Sequence, residues 1–300
     1  MFRVIFLVSV GIVAISFASI FIKFCNDVPS IMIATYRLTI SSVIILTIAK
    51  IKGIRFSHFT KKQLALAIMG GLFLSLHFSF WISSLKFTSV ASSVVLVTTN
   101  PVIIGIFSYF FLREKQPREV VLGIILSFSG SFILAIGDSG IQGLTIKNSS
   151  YLIGDLLAFL GAVMASGYLM IGSILRKDID ILSYTSLVYT FSALILLMAS
   201  IYLRIPFTGY NPTSYMYLLL LAIIPQLIGH TALNWALKHL RTNMVAITIL
   251  GEPIGASFLA YLLFGETIKP IQSVGIILIF LAIFISSKKG KRPSLSKSQI

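Results

Sequence analysis

Ten apolar runs of 17 to 25 residues, separated by polar connections, take up 214 residues of the 300-residue chain. They fall at 4–22, 29–49, 63–85, 88–112, 120–137, 156–175, 181–203, 213–237, 242–264 and 271–287. A helix of about 20 apolar residues crosses the hydrocarbon core of a bilayer, which is roughly 30 Å thick. The backbone finds no water there, so each run must satisfy its peptide groups within its own helix. The runs predict an all-α polytopic membrane protein with ten transmembrane helices. Composition agrees: 11% of residues are charged, where soluble domains carry about 25%. A secretory signal is the rival reading of the first run. However, 19 uncharged residues between Arg3 and Lys23 are enough to span, and no small-x-small cleavage site follows them.

The formal net charge of +15 does not mark a nucleic-acid surface, because no basic face is long enough to track a phosphate backbone. Ten crossings put both termini on one side. With the N-terminus inside, 18 of the 24 lysines and arginines fall in inner segments and five in outer loops. The remaining one is Arg37, within a run. That bias orients the chain with both ends cytoplasmic, as a multi-pass protein of the cell (inner) membrane.

The common marks of enzymes are missing. No phosphate-binding G-x-x-x-x-G-K-[ST], nucleophile elbow or His-Glu-x-x-His occurs. The four histidines show no zinc spacing, and the single cysteine, Cys25, allows no intrachain disulfide. Neither a cofactor nor a metal is expected.

The polar groups inside the runs are few. Glu252 and Arg37 are the two full charges, and charge at such depth faces a bundle interior or a wet cavity. Glu252 is either a proton- or substrate-linked carboxylate or a neutral, hydrogen-bonded structural group. Arg37 holds an anionic group of a substrate, pairs with Glu252, or bonds carbonyls of neighbouring helices. Pro253 follows Glu252, and Asn100-Pro101 stands at the equivalent place in the other half, each proline interrupting the helical ladder. Gln226, His230 and Asn234, at i, i+4 and i+8, form a polar stripe that lines a cavity or joins helices. His77 and Trp81 lie one turn apart on one face, as cavity wall or core. The small residues Gly161, Ala162, Ala165, Ser166 and Gly167 read as a packing face.

A shift of 152 overlays residues 85–133 on 237–285 without a gap, matching Lys86 with Lys238, Pro101 with Pro253, Glu114 with Glu266 and Gly123 with Gly275. Each half then holds five spans. Five is odd, so the second copy enters the membrane from the opposite side, a construction that places a site near the midplane between repeats. Arg37, Asn100 and Glu252 each lie roughly 12 to 18 Å from their helix starts at 1.5 Å per residue, which is mid-depth. Glu114 and Glu266 fall at span ends in different compartments, as helix-end structure.

These motifs resemble the EamA-domain proteins of the drug/metabolite transporter superfamily, ten-helix carriers built from two EamA repeats. The first repeat is matched by Pro101, Leu112-Arg113-Glu114, Gly123 and Gly130, the second by Pro253, Phe264-Gly265-Glu266, Gln272 and Gly275. Arg37, after Ala34, Thr35 and Tyr36, is similar to the arginine frequent in the family's second helix, and Tyr36 is counted with the site on that ground. The resemblance implies a first repeat at 1–137, an external linker at 138–155, a second repeat at 156–287 and a basic cytoplasmic tail at 288–300. It implies a secondary active transporter, commonly an exporter, of small metabolites such as amino acids or related organic solutes, working by alternating access. The alternatives are a membrane-embedded enzyme and a passive channel. The expected partners are a small-molecule substrate, the lipid bilayer and protons as a coupling ion, with no nucleic acid; the oligomeric state is not readable.

Overall fold

A computed structural model of the chain describes residues 2–54, 59–88, 93, 96–111, 116–139, 149–264 and 270–288. Outside them lie Arg113, Glu114, Gly265, Glu266, the centre of the 138–155 linker and all but the first residue of the tail. Among the described residues the fold is all helical, with no strand. The elements are α1 (Phe2–Ser16), α2 (Ala18–Phe24), α3 (Ser30–Ile51), α4 (Lys61–Ser84), α5 (Asn100–Phe111), α6 (Arg118–Ser139) and α7 (Ser149–Leu175). They continue with α8 (Ile181–Tyr202), α9 (Pro212–Leu221), a π-helical segment (Ala222–His230), α10 (Thr231–Ala236), α11 (Thr242–Ile249), α12 (Gly251–Phe264) and α13 (Pro270–Ser287).

Among the described residues, seven helices are long and apolar enough to cross a membrane: Phe2–Phe24, Ser30–Ile51, Lys61–Ser84, Leu152–Leu175, Ile181–Tyr202, Pro212–Ala236 and Thr242–Leu263. Asn100–Phe110 and Ser273–Ser286 are shorter apolar helices. Their starts follow local chemistry. Thr60 and Gln63 form a capping box before α4, Asp180 accepts the Leu182 and Ser183 N–H groups before α8, and Pro212 opens α9, each satisfying or dispensing with donors that a first turn leaves free. The outer faces carry large apolar side chains such as Phe110, Met198, Leu262 and Phe284, all more than half exposed. The interior holds the polar ones, with Arg37, Gln226 and Asn234 fully buried. That inside-out distribution suits lipid as the solvent.

The pairings have a two-fold pattern. The helix pairs α3–α8, α6–α13 and α5–α11 each join corresponding spans of the two halves. The contact of α4 with α7 is answered by that of α1 with the π-helical segment, and α5 with α7 by α12 with α1. At the α6–α13 seam a methyl group on Gly130 would lie 2.7 Å from the Gly275 carbonyl, and one on Gly123 would lie 3.1 Å from the Ala282 carbonyl. As position rises from Gly123 to Gly130 the partner falls from Ala282 to Gly275, so the helices run antiparallel. A shift of 152 converts one contact into the other. Small residues let the two backbones meet here, where packing replaces the hydrophobic drive.

Candidate functional site

Three helices are interrupted at about the same depth. Helix α1 gives way to α2 at Phe17. Helix α11 ends before Leu250, whose N–H turns back to the Ile247 carbonyl at 3.2 Å, and α12 restarts at Gly251. Helix α5 starts at Asn100. Pro101 and Pro253 therefore stand in first turns, where a missing N–H costs no helical bond, and the interruption precedes Pro253 rather than following from it. Gly251 and Gly255 turn a small face to α1: methyl groups there would meet Ile12 Cγ2 at 2.8 Å and Ser16 Cβ at 2.7 Å. Ser16 Oγ donates to the Ile12 carbonyl at 2.8 Å and lies 3.3 Å from the Glu252 carbonyl.

These breaks surround a buried cavity of about 50 Å3. It brings together Arg37, His77, Trp81 and Asn100 from the first half with His230, Asn234 and Glu252 from the second. Repeat-equivalent Asn100 and Glu252 thus open two helices onto one space. Gln226 stands behind Arg37, accepting Arg37 Nε at 2.8 Å through Oε1. The guanidinium lies over the Phe78 ring, 4.0 Å from its centroid, and neither Nη has a partner among the described residues. Arg37 and Glu252 thus face the same cavity without a hydrogen bond between them.

His77 Nδ1 lies 2.9 Å from the Gly161 carbonyl. A carbonyl only accepts, so Nδ1 carries the proton and Nε2 is the nitrogen left for other work. Its ring is parallel to Trp81 within 2°, at 6.1 Å between centroids. His230 meets Phe78 edge-on at 5.3 Å. Asn234 Nδ2 donates to the Tyr168 hydroxyl, and Tyr189 OH lies 3.2 Å from Thr231 Oγ1.

The polar stripe of Gln226, His230 and Asn234 is carried by a π-helical turn. Pro225 lies inside that segment; it has no N–H and its ring crowds the preceding turn. The wider turn removes that clash, and the Thr231 N–H reaches the Gln226 carbonyl five residues back. Such turns often mark functional sites. The three side chains do not act as one row: Gln226 holds Arg37, Asn234 holds Tyr168, and His230 packs on Phe78.

Tyr36 lies elsewhere. Its hydroxyl donates to the Phe207 carbonyl at 2.7 Å, and its ring meets Tyr215 at 6.0 Å, which puts it at the end of the bundle near the 203–211 connection. Adjacent residues on a helix point about 100° apart, so Arg37 inside places Tyr36 off the cavity. Sequence reasoning missed Tyr168, Phe78 and Thr98, which also line the cavity. Tyr168 directly follows the small-residue stretch Gly161–Gly167 read as a packing face, and its large polar ring beside glycines and alanines was the available signal. Arg176, assigned to a cytoplasmic connection, is buried, and its Nε donates to the Asn234 carbonyl at 3.2 Å.

Apolar helices of spanning length around a cavity that carries Arg37, Glu252 and other polar groups among apolar side chains define a multi-pass membrane protein. The model of the EamA-like transporter family matches residues 2–136 and again 152–288, and the chain belongs to that family. It is 28% identical over 231 residues to an uncharacterized transporter of Clostridium kluyveri, covering 76% of this chain and 73% of that one. It is 24% identical to the uncharacterized transporter YyaM of Bacillus subtilis, covering 85% and 83%. A solved crystal structure superposes with a TM-score of 0.80 at 17% identity, covering 96% of this chain and 97% of that one; it shows the shared fold.

Proposed function

We propose that the protein is a secondary active transporter of small polar or amphipathic metabolites, working outward by alternating access between two inverted five-helix repeats at 1–137 and 156–287. The observation that carries this reading is the cavity where repeat-equivalent Asn100 and Glu252, in the first turns of two half-helices, face one buried arginine. Discontinuous helices meeting at mid-depth between inverted repeats are how secondary transporters build a substrate site. The antiparallel α6–α13 seam supports inversion, since equivalent helices of a parallel repeat would run the same way.

Ten crossings with cytoplasmic ends, in the inner membrane, go with this reading. Its support is that the following contacts at the bundle ends each join segments assigned to the same side. Lys86 Nζ donates to the Val28 carbonyl at 3.1 Å, Thr88 Oγ1 to Asp155 at 2.7 Å and Ser214 Oγ to Asp27 at 2.6 Å, all outer. Arg3 lies 5.9 Å from the centre of the Trp235 ring at the inner end. Glu252 is assigned to proton coupling and the 138–155 segment to an external linker.

Counterflow in proteoliposomes tests the reading. Saturable uptake of labelled solute driven by an opposing gradient of the same unlabelled solute is expected. Flux that never saturates makes the protein a channel, and conversion of the solute to a product makes it an enzyme.

A further inference from the structure

The arginine at the cavity is held in an unusual way. Its side chain has two edges that grip paired oxygens, one using Nε and an Nη, the other using both Nη groups. Gln226 Oε1 occupies Nε at 2.8 Å, which removes the first edge. Phe78 covers one flat face at 4.0 Å. What remains is the Nη1/Nη2 edge, buried, without a partner among the described residues, on a side chain that lines the cavity. Buried charged donors without acceptors are costly, and this one belongs to a guanidinium that stays protonated at any physiological pH.

Three more buried atoms in the lining of the same cavity lack partners among the described residues: the Trp81 Nε1 donor and the Asn100 Oδ1 and Asn234 Oδ1 acceptors. Asn100 also begins a 12-residue helix, whose first N–H groups and dipole favour a negative group. From these the geometry points to a carboxylate seat: we propose that the Nη1/Nη2 edge of Arg37 takes the two oxygens of a small organic carboxylate, with Trp81 Nε1–H as a further donor. This rests on the transport reading above and names the chemistry its site accepts.

The charge balance selects a carboxylate over a phosphate ester. Among the described residues Arg37 is the one arginine in the lining, which holds no lysine, and Glu252 faces the same space. One cation neutralises one negative charge, and a dianion would add charge that Glu252, when ionised, repels. The fork is planar with two parallel donors, which fits the planar O–C–O of a carboxylate. Gln226 is a positioning residue here: it touches Arg37 and leaves the correct edge free.

The test uses the full-length protein in nanodiscs and matched acid–amide pairs, butyrate against butyramide and phenylacetate against phenylacetamide, with methyl phosphate as a third arm. Binding is read by intrinsic fluorescence and by the ligand dependence of the melting temperature. Each acid is expected to bind about tenfold or more tightly than its amide, the value of one or two charge-assisted hydrogen bonds. Arg37→Lys keeps the charge but not the fork, and should remove most of that preference; Trp81→Phe should reduce it if Arg37→Lys does not fold. Equal binding of acid and amide by the wild-type protein overturns the seat, and so does a preference for methyl phosphate. The two readings fail separately: acids that bind but show no counterflow leave the seat and remove the carrier, whereas counterflow of a solute with acid and amide indifferent does the reverse.

Discussion

Asp27 and Ser214 are 187 positions apart in the chain and meet at 2.6 Å, Ser214 Oγ donating to Asp27 Oδ1 while the Asn211 N–H donates to Oδ2 at 2.7 Å. Asn211, the residue before α9, makes no side-chain capping bond of its own. A carboxylate from the connection between α2 and α3 therefore caps a helix of the other half. By contrast α4, the repeat counterpart of α9, and also α8 are capped from their own sequence by Thr60 and Asp180. The two ends of the bundle are thus fastened differently.

The hydrogen bonds from Ser214 and then Asn211 hold the Asp27 carboxyl below the usual carboxylate range. A carboxylate with a lowered folded-state value stabilises the fold above its unfolded value, about 4, and that stabilisation is lost as pH falls through the folded value. Asp27→Asn should therefore melt below wild type at pH 7, with the gap closing below about pH 4. Thermal melts from pH 7 to pH 3 in detergent check this. A gap that stays constant across the range assigns the effect to shape and not to charge.

Orientation is checked by single cysteines at two exposed positions, Thr208→Cys and Lys177→Cys. Native Cys25 can remain: it is buried, and burial followed by the nearby Asp27 charge pushes its thiol up to about 12, which leaves little reactive thiolate. In intact cells an impermeant maleimide should label the first variant and spare the second. The reverse pattern inverts the assignment, and equal labelling means a mixed population.

Glycines at the α6–α13 seam and beside it should respond with opposite sign. Gly130→Ala drives a methyl group to 2.7 Å from the Gly275 carbonyl and should cost about 1–3 kcal/mol, the usual range for overpacking. A methyl group on Gly105 meets Ile124 at 3.4 Å and Asn243 at 3.8 Å, ordinary contacts. Gly105→Ala should be neutral or gain up to about 1 kcal/mol from helix propensity. Melting temperatures of the two variants decide it.

Within the polar stripe the structure separates residues that spacing treated alike. Gln226→Ala leaves Arg37 Nε without its acceptor and should lose about 1–3 kcal/mol of stability along with ligand affinity. His230 meets Phe78 through its ring, so His230→Ala should lower affinity with a smaller drop in melting temperature. Equal melting losses in the two variants would make the stripe a uniform helix-joining element.

Glu252→Gln keeps the shape of the side chain and removes its titration. The proposed coupling role predicts that this variant still exchanges substrate for substrate in proteoliposomes but no longer accumulates it against a pH gradient. Gradient-driven accumulation at the wild-type level assigns Glu252 to substrate contact or to structure instead.

The sequence by itself determined the class of fold, the polar inventory and the repeat. Apolar runs of spanning length admit only helices in lipid, because the backbone has no other partner there. Glu252 and Arg37 were visible because charge inside such a run is costly and therefore rare. Asn100 and Glu252 were visible as equivalents because a shift in register needs no coordinates. Which of these groups meet was decided by tertiary structure alone. Spacing could not show that Gln226 takes the Nε of Arg37, that Gly161 fixes the His77 tautomer, or that Tyr168 enters the cavity from beside a stretch of small residues. Nor could it show that Tyr36 leaves the site while its neighbour Arg37 enters. Each of these depends on which helix lies opposite, and in a bundle that is set by close approach between distant backbones, as where Gly130 meets Gly275.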